Sequence, residues 1–392
     1  MLDSNVVLKL QEIYPDMVRW RRHLHQFPEL SFKEEKTSSW IADRLEEMGC
    51  SFERNVGGYG LVAKIIGSKP GPTIALRADI DALPIQDEKE CEYASKIAGV
   101  MHACGHDGHT AVLLAVASYY CRHKEELAGE RRLIFQPAEE TTPGGAIEMI
   151  SDGVLEGVDA IYGIHLWTPL PYGKVASRPG PFMSSADEFV IDIEGRGGHG
   201  GLPHEAIDAI IVGSALVQAI QSIVSRSVDP LQPAVVTIGS FQSGTTFNVI
   251  AEKCQLKGTV RSFDEQTRML IHERLEQLIR HTCEMHGATY NYHMRIGYPP
   301  VVNDDREASR FFTVAENMQG MVGVIQAEAI TVAEDFSYYL QKVPGCFMFV
   351  GAGNSDVGAS YPHHHPKFNF DERAMIHSAR LLIGMAEHYT FE

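Results

Sequence analysis

The chain has few positive charges for its length. Its 392 residues carry 34 lysines and arginines against 51 aspartates and glutamates, which gives a formal net charge of −17. An excess of negative charge repels the phosphate backbone of nucleic acids and the surface of anionic membranes. We therefore expect neither nucleic acid nor a membrane as a partner.

Long hydrophobic runs and a basic, secretory type of N-terminus are also lacking. A bilayer span needs about 18 or more consecutive apolar residues, and no stretch of the sequence comes close to that. The seven cysteines are scattered and odd in number, which argues against a disulfide framework. These features predict a cytoplasmic protein whose cysteines are mostly buried thiols, with Cys104 as the exception.

Alternating helices and strands predict an α/β fold with a mixed, largely parallel sheet and flanking helices. The predicted helices cover residues 8–26, 33–48, 110–123 and 145–152, and the predicted strands cover residues 60–66, 73–78, 132–136 and 160–165. Ligands of such sheets bind outside the carboxyl ends of the strands. We expect one sheet edge to gather the polar residues that end or follow these strands, namely Asp79, Glu139, Glu140 and His165.

The order of predicted elements changes after about residue 185. From there a strand, a helix, two strands, a helix and a strand are predicted over residues 189–193, 205–227, 234–240, 254–262, 265–286 and 289–296. This β-α-β-β-α-β order is typical of a ferredoxin-like α+β unit. The sequence therefore predicts an inserted domain over residues 185–297 and a discontinuous catalytic domain over residues 1–184 and 298–392.

Possible metal ligands are concentrated between His102 and His109, directly before an apolar helix. Cys104 and His106 are two residues apart, so that both side chains can face one point in an extended or turn geometry. Thiolate and imidazole ligands favour zinc, cobalt, nickel or manganese over magnesium or calcium. A Cys-x-His pair alone is more often structural, but the two glycines beside it favour a metal site.

Three further segments offer ligands, although each has an ordinary explanation as well. The two glutamates at 139–140 are also typical of a solvated surface, His165 of a satisfied core residue, and the histidines at 363–365 of an exposed loop. Two adjacent carboxylates, however, allow one to bind metal while its neighbour acts as a general base. Taken together, the four segments predict a metallohydrolase.

Six segments carry a more specific similarity: RHLHQFPELS at 22–31, LRADIDALPI at 76–85, HACGHDGHT at 102–110, QPAEE at 136–140, GIH at 163–165 and PKF at 366–368. Together they resemble the M20 metallopeptidase family. Within it they resemble the amidohydrolase branch, which includes aminoacylases, hippurate hydrolases, plant auxin-conjugate hydrolases and acetyl-diaminopimelate deacetylases. The resemblance covers nearly the whole chain.

The resemblance implies a zinc-exopeptidase-like catalytic domain that holds two divalent metal ions. Glu139 matches the general base of the family, and Asp79 is implied to orient the site without binding metal. Cys104 is expected to bridge the two ions. The family's last ligand precedes a proline by two residues, which selects the middle one of the three loop histidines. The implied ligands are Cys104, His106, Glu140, His165 and His364.

The same resemblance assigns residues of the inserted domain to the substrate. His199 matches a histidine that polarises the scissile carbonyl, often from a partner subunit. Asn248 and Arg261 match substrate-binding positions. The inserted domain is accordingly expected to act as a lid and as the contact surface of a homodimer or higher homo-oligomer.

We therefore predict metal-dependent hydrolysis of the amide bond of N-acyl amino acids or similar small conjugates. A metal-dependent dipeptidase or carboxypeptidase is the alternative within the family. Two hypotheses from outside it stay open. Cys104 could be a nucleophile with His106 or His165 as its base, or the protein could be a non-catalytic, metal-dependent binding protein, which would leave Glu139 without a role.

Overall fold

The computed structural model describes residues 2–389, which divide into two compact units. The first unit contains the described residues up to Gly180, Val302–Glu328 and the described residues from Asp335 onward. The second unit contains Pro181–Val301 and Ala329–Glu334. The second unit thus includes the predicted insertion together with a short segment from further along the chain.

The helices and strands are numbered in chain order. The α-helices are α1 (Leu2–Gln26), α2 (Glu35–Glu47), α3 (His106–His123), α4 (Gly145–Ser151), α5 (Ala209–Ser222), α6 (Glu265–His286), α7 (Asp305–Glu316), α8 (Ser337–Leu340) and α9 (Ala374–Glu387). The strands are β1 (Phe52–Val56), β2 (Gly60–Ile66), β3 (Lys69–Asp79), β4 (Ala128–Gln136), β5 (Ala160–Pro171), β6 (Lys174–Ser177), β7 (Gly180–Met183), β8 (Asp187–Glu194), β9 (Gly198–His199), β10 (Ala234–Ser243), β11 (Val249–Ile250), β12 (Lys253–Ser262), β13 (Thr289–Arg295), β14 (Val301–Asn303), β15 (Gly323–Gln326) and β16 (Gly345–Gly353).

The first unit is built on an eight-stranded sheet with the strand order β1-β2-β4-β3-β5-β16-β6-β15. The strands β4, β3, β5 and β16 run parallel at its centre, whereas the pairs β1–β2, β2–β4 and β16–β6 are antiparallel. Central parallel strands are buried on both faces and therefore have nearly continuous apolar sequences, as β5 and β16 do. The predicted mixed, largely parallel sheet is confirmed.

Helix α3 lies in the core of the first unit. Every residue from His106 to Tyr120 is buried, and the helix packs against α1, α9 and β3. A helix that is covered on all sides is typical of the centre of a core. It begins directly after Gly105, whose φ of 95° lies in the left-handed region that favours glycine. The helix therefore starts earlier than the predicted residue 110, and His106 occupies its first turn.

The second unit contains a four-stranded antiparallel sheet in the order β10-β12-β8-β13, on which α5 and α6 pack. Its elements follow the predicted order of strand, helix, two strands, helix and strand. Alternate residues of β8, namely Phe189, Ile191 and Ile193, point into a core that the apolar faces of both helices complete.

Helix α5 and the π-helical turn after it form an apolar run, Ala209–Ser227, of 19 residues. By length and mean hydropathy this segment could cross a membrane, a possibility that the count of consecutive apolar residues did not show. One face of it, with Val212, Leu216 and Ile220, is buried in the core of the second unit. Core helices pass the same test, so the run alone is weak evidence for a membrane span.

Cys50 and Cys121 form a disulfide in the first unit, which corrects the expectation that these two residues are thiols. The bond joins Cys50, two residues before β1, to the last part of α3 across a sequence separation of 71 residues. Such a cross-link stabilises the fold by restricting the unfolded chain, and it persists in oxidising surroundings. The free cysteines are Cys91, Cys104, Cys254, Cys283 and Cys346.

We expect protein that was purified without reductant to show five thiols after denaturation, and reduced protein to show seven. Reduction should lower the free energy of unfolding by about 2–4 kcal/mol, which a lower Tm would report. Cys91→Ser is the control, because its thiol is free and exposed, and its Tm should match that of the unreduced parent. Seven thiols in protein never treated with reductant would contradict the pairing.

Candidate metal centre

Parallel strands of the first unit bring the predicted residues to one edge of the sheet. β3 ends at Asp79, which pairs in register with Gln136, the last residue of β4. On the other side of β3, Arg77 pairs with Gly163 of β5. His165, two residues further along β5, therefore lies level with Asp79. The carboxyl ends of parallel strands are a common place for a ligand site.

The Cys104 sulfur belongs to two groups of possible ligand atoms. One group contains it together with atoms of His106 and His165, and all of these atoms lie within 4.8 Å of one another. The other contains it with Glu140 and His364 under the same distance limit. The sulfur is 3.4 Å from Nε2 of His165, and Nε2 of His364 is 3.5 Å from Oε2 of Glu140. The structure thus brings the five predicted ligands together.

Two buried atoms of these side chains lie close together without a hydrogen bond. Nε2 of His106 and Oε1 of Glu140 are 3.7 Å apart, and neither has a hydrogen-bond partner among residues 2–389. Buried polar atoms are nearly always paired, so this pair needs an explanation. A divalent cation would satisfy both atoms, and thiol, imidazole and carboxylate together suit zinc, manganese, cobalt or nickel. The side chains present therefore fit a metal site.

The three loop histidines have different surroundings. His364, which has a φ of 65°, is the one that joins a ligand group. His363 is partly buried and stacks on Trp167, with 4.7 Å between the ring centroids. His365 stacks on Tyr361 at a centroid distance of 4.4 Å. Of the three histidines, only the one selected by the resemblance belongs to a ligand group found among the described residues, although the ring of His363 lies against that of His165 at a centroid distance of 5.0 Å.

The two adjacent carboxylates follow a sharp turn at the end of β4. Ala138 has a φ of 54°, which is uncommon for a residue with a Cβ atom. Just after this turn, oxygen atoms of Glu139 and Glu140 both lie within 4.8 Å of a ring nitrogen of His106. Adjacent residues of an extended strand would point to opposite faces. The turn is therefore what allows both carboxylates to face one site.

Nearby carboxylates change the proton affinity of the ligand side chains. Burial alone lowers the pKa of His106, but Asp79 and other acidic neighbours raise it to about 10. Burial, supported by acidic neighbours such as Glu140, raises the pKa of the Cys104 thiol well above its usual value. These shifts favour the protonated forms of both side chains, and a metal ion that bound them would displace a proton from each.

Asp79, which is predicted to orient the site, is held from two sides. Its Oδ1 is 2.6 Å from Nδ1 of His109, and its Oδ2 accepts a hydrogen bond of 2.6 Å from Arg77. The other ring nitrogen of His109 accepts the backbone N–H of Leu166 at 2.9 Å. Asp79 is therefore linked through His109 to the part of β5 that carries His165. His109 is a contact that the sequence-based prediction missed.

Asp81 is a second residue of the site that the prediction missed. Its Oδ1 lies 3.2 Å from Nδ1 of His106, and its Oδ2 accepts the backbone N–H of Glu140 at 3.0 Å. A carboxylate on the outer nitrogen of a metal-binding histidine fixes the ring and increases its basicity. The sequence did indicate this residue, because Asp81 follows Asp79 by two residues in the motif at 76–85.

His199 and Asn248 are neighbours in the second unit. The short strands β9 and β11 pair His199 with Val249, and the N–H of Gly200 donates to the backbone oxygen of Asn248 at 2.9 Å. Both side chains are exposed. Nδ1 of His199 accepts the N–H of Gly201 at 3.0 Å, so that the neutral ring carries its proton on Nε2. The Nε2–H group is therefore available as a hydrogen-bond donor.

Arg261, the other predicted substrate residue, lies on β12 of the same unit. It is half-buried, and burial lowers the pKa of its guanidinium group. Its Nη1 donates to Oγ1 of Thr259 at 2.6 Å and to the backbone oxygen of Val260 at 3.0 Å. These hydrogen bonds hold the guanidinium group against its own strand.

Known proteins resemble this chain over most of its length. The family model for peptidase family M20/M25/M40 matches residues 75–388. The N-acyl-L-amino acid amidohydrolase of Geobacillus stearothermophilus is 47% identical over 305 residues, which are 78% of this chain and 82% of that protein. Thermostable carboxypeptidase 1 of Saccharolobus solfataricus is 42% identical over 366 residues, which are 93% and 92% of the two chains.

The fold agrees with that of a solved relative. The YXEP protein of Bacillus subtilis, which is described as a dinuclear metal binding peptidase from the M20 family, has a TM-score of 0.83 and 34% identity. The match covers 96% of this chain and 98% of that chain. The resemblance to the M20 family is confirmed, and this chain belongs to peptidase family M20/M25/M40.

Proposed function

We propose that the protein hydrolyses the amide bond of N-acyl amino acids or similar small conjugates with two divalent metal ions. The proposal rests mainly on how the possible ligands are grouped. The Cys104 sulfur belongs to two of the groups, and Glu139 belongs with His106 to a third. The G. stearothermophilus amidohydrolase supports the substrate class, and the dinuclear B. subtilis relative supports the number of ions. The ligand types favour zinc, manganese, cobalt or nickel.

Glu139 is the general base of the proposed reaction. Divalent metal ions, when bound, polarise the scissile carbonyl and lower the pKa of water. The carboxylate of Glu139 accepts a proton from the attacking water and later delivers it to the leaving amine. Glu140 shares a group with Cys104, whereas Glu139 shares one with His106 and Glu140. This arrangement suits a division into one ligand and one base.

A nucleophilic role suits Cys104 poorly. A reactive cysteine needs a lowered pKa so that the thiolate is present, whereas burial raises the pKa of Cys104. That mechanism would also leave Glu140 and His364 without roles. A non-catalytic binding protein, the other alternative, has no use for the buried carboxylate of Glu139.

A carboxypeptidase or dipeptidase is the second candidate function, because the S. solfataricus relative carries such a name. Both reactions break an amide bond, and they differ in the group on its acyl side. A panel of N-acetyl, N-benzoyl and N-succinyl amino acids, assayed beside dipeptides with a free amino group, separates them. Preference for blocked substrates supports the amidohydrolase, and preference for free dipeptides supports the peptidase.

We further propose that the inserted domain takes part in catalysis as a lid and in a homodimer. His199 would donate Nε2–H to the oxyanion that develops on the carbonyl oxygen. Asn248 and Arg261 would bind the carboxylate of the substrate through hydrogen bonds, which are strongest where a charged group takes part. The cytoplasmic location stays a prediction, and a disulfide between Cys50 and Cys121 would be kept reduced there.

Glu139→Gln should retain both metal ions but reduce kcat by about 10² to 10⁴, since an amide cannot accept the proton of water. Glu140→Gln is the matched control, because it makes the same chemical change at the neighbouring residue. It should lower the metal content instead, and excess metal should restore part of its activity. Elemental analysis and steady-state kinetics measure both effects. A Glu139→Gln enzyme with more than a tenth of wild-type kcat would contradict the assignment.

His199→Ala should leave the metal content unchanged and reduce kcat by about 10² to 10³ if the ring is a main oxyanion donor. Mixing it with Glu139→Gln tests whether the ring serves the partner's site. A heterodimer of the two variants then has one site with both groups intact, and activity should reappear after subunit exchange. Verified heterodimers that stay inactive would mean that His199 acts within its own chain or has no catalytic role.

A further inference from the structure

Glu34 is a buried carboxylate to which the proposed chemistry gives no role. It precedes α2, and its side chain is fully buried. Its Oε1 accepts the backbone N–H groups of Phe32 at 3.0 Å and of Ala138 at 2.8 Å. Its Oε2 is buried without a hydrogen-bond partner in the part of the chain that the structure describes. Glu34 thus connects the loop between α1 and α2 to the turn before Glu139 and Glu140.

The turn at Ala138 depends on support from other segments. Its φ of 54° lies in a region that side chains with a Cβ atom disfavour. The N–H of Ala138 is bound by Glu34, and its carbonyl oxygen accepts the N–H of Gly145 at 3.0 Å. Two residues later, the N–H of Glu140 is bound by Asp81 at 3.0 Å. Three hydrogen bonds therefore hold this backbone in an unfavourable conformation.

We propose that Glu34 is a positioning residue, which holds the Ala138 turn and thereby directs Glu139 and Glu140 into the metal site. The inference deepens the proposed function and rests on it for the kinetic part of the test. If the turn relaxed to an extended strand, the two carboxylates would point to opposite faces. Loss of the acceptor would also leave the buried N–H of Ala138 unsatisfied, which further favours relaxation.

The turn requires an acceptor at Oε1 of Glu34 and not a negative charge. Oε1 alone accepts both backbone N–H groups. Burial and the nearby Asp81 raise the pKa of Glu34 to about 7, which agrees with a carboxyl group that can carry a proton on Oε2. Glu34→Gln therefore keeps the essential atom, whereas Glu34→Leu has a similar size and no acceptor.

The test uses metal-free full-length protein that is reloaded with Co²⁺. For each variant, Co²⁺ affinity, the visible absorption spectrum, and kcat and KM for an N-acetyl amino acid are measured. Glu34→Leu should lower Co²⁺ affinity and kcat by about 10- to 100-fold with little change in KM, and it should alter the spectrum. Glu34→Gln should stay close to the wild type in all four quantities.

A second substitution, in the Ala138 turn, distinguishes a positioning role of Glu34 from a general effect on stability. Glycine adopts a positive φ without opposition from a Cβ atom. The double variant Glu34→Leu/Ala138→Gly should therefore recover most of the Co²⁺ affinity and kcat that Glu34→Leu loses. If Glu34→Leu does not fold, Glu34→Asp takes its place with the same expectations, because its shorter side chain does not reach the N–H of Ala138.

Glu29→Leu is the control in the same loop. The Glu29 carboxylate accepts the backbone N–H of Thr37 at 2.7 Å and its hydroxyl group at 2.9 Å. The N–H of Ala138 donates to Glu34 and not to Glu29. Removing it should lower the Tm and leave Co²⁺ affinity, spectrum and kcat unchanged. This control shows how the site responds when only the start of α2 is weakened.

Two results would overturn the role of Glu34. One is a folded Glu34→Leu or Glu34→Asp protein with wild-type Co²⁺ affinity, spectrum and kcat. The other is a double variant that is no better than Glu34→Leu alone. If the wild type hydrolyses no N-acyl amino acid, the proposed substrate class is wrong, but Co²⁺ affinity and the spectrum still decide whether Glu34 positions the site.

Discussion

The sulfur of Cys104 has to stay close to two separate sets of side chains, and the architecture of the first unit meets this constraint. His165 comes from β5, Glu140 follows β4, His106 occupies the first turn of α3, and His364 comes from the loop before α9. These residues are far apart in sequence, and the parallel centre of the sheet brings them to one edge. Because α3 is buried on every side, its first turn is a rigid support for the site.

The site also gathers negative charge in the interior, which is costly unless each charge has a partner. Arg77 supplies part of the compensation by donating to Asp79 at 2.6 Å and to Asp335 at 2.7 Å. Burial opposes ionisation of Asp79, but His106 and its other cationic neighbours hold its pKa well below the usual range. The predicted ligand residues therefore lie inside a larger network of buried charges, to which a bound metal ion would add positive charge.

Local signals predicted those parts of the structure that depend on neighbouring residues. Helix α6 has its predicted bounds because Asp264 caps its start and Gly287, with a φ of 72°, ends it. The motifs likewise identified the five possible ligands. The disulfide and the supporting contacts were missed because they join distant segments. The hydrogen bond between Glu34 and Ala138, for example, spans 104 residues, and no local pattern predicts such a pair.

The central claim is that the Cys104 thiolate binds metal in a site for two ions. X-ray absorption spectroscopy of zinc-loaded protein, with zinc content measured on the same sample, tests this claim most directly. The account predicts two zinc ions per chain. It also predicts a sulfur neighbour at about 2.3 Å and a second zinc ion at about 3.5–4 Å. Cys104→Ser should lose the sulfur signal, and Cys91→Ser should keep it. Two zinc ions without a sulfur neighbour, or an unchanged sulfur signal in Cys104→Ser, would contradict the account.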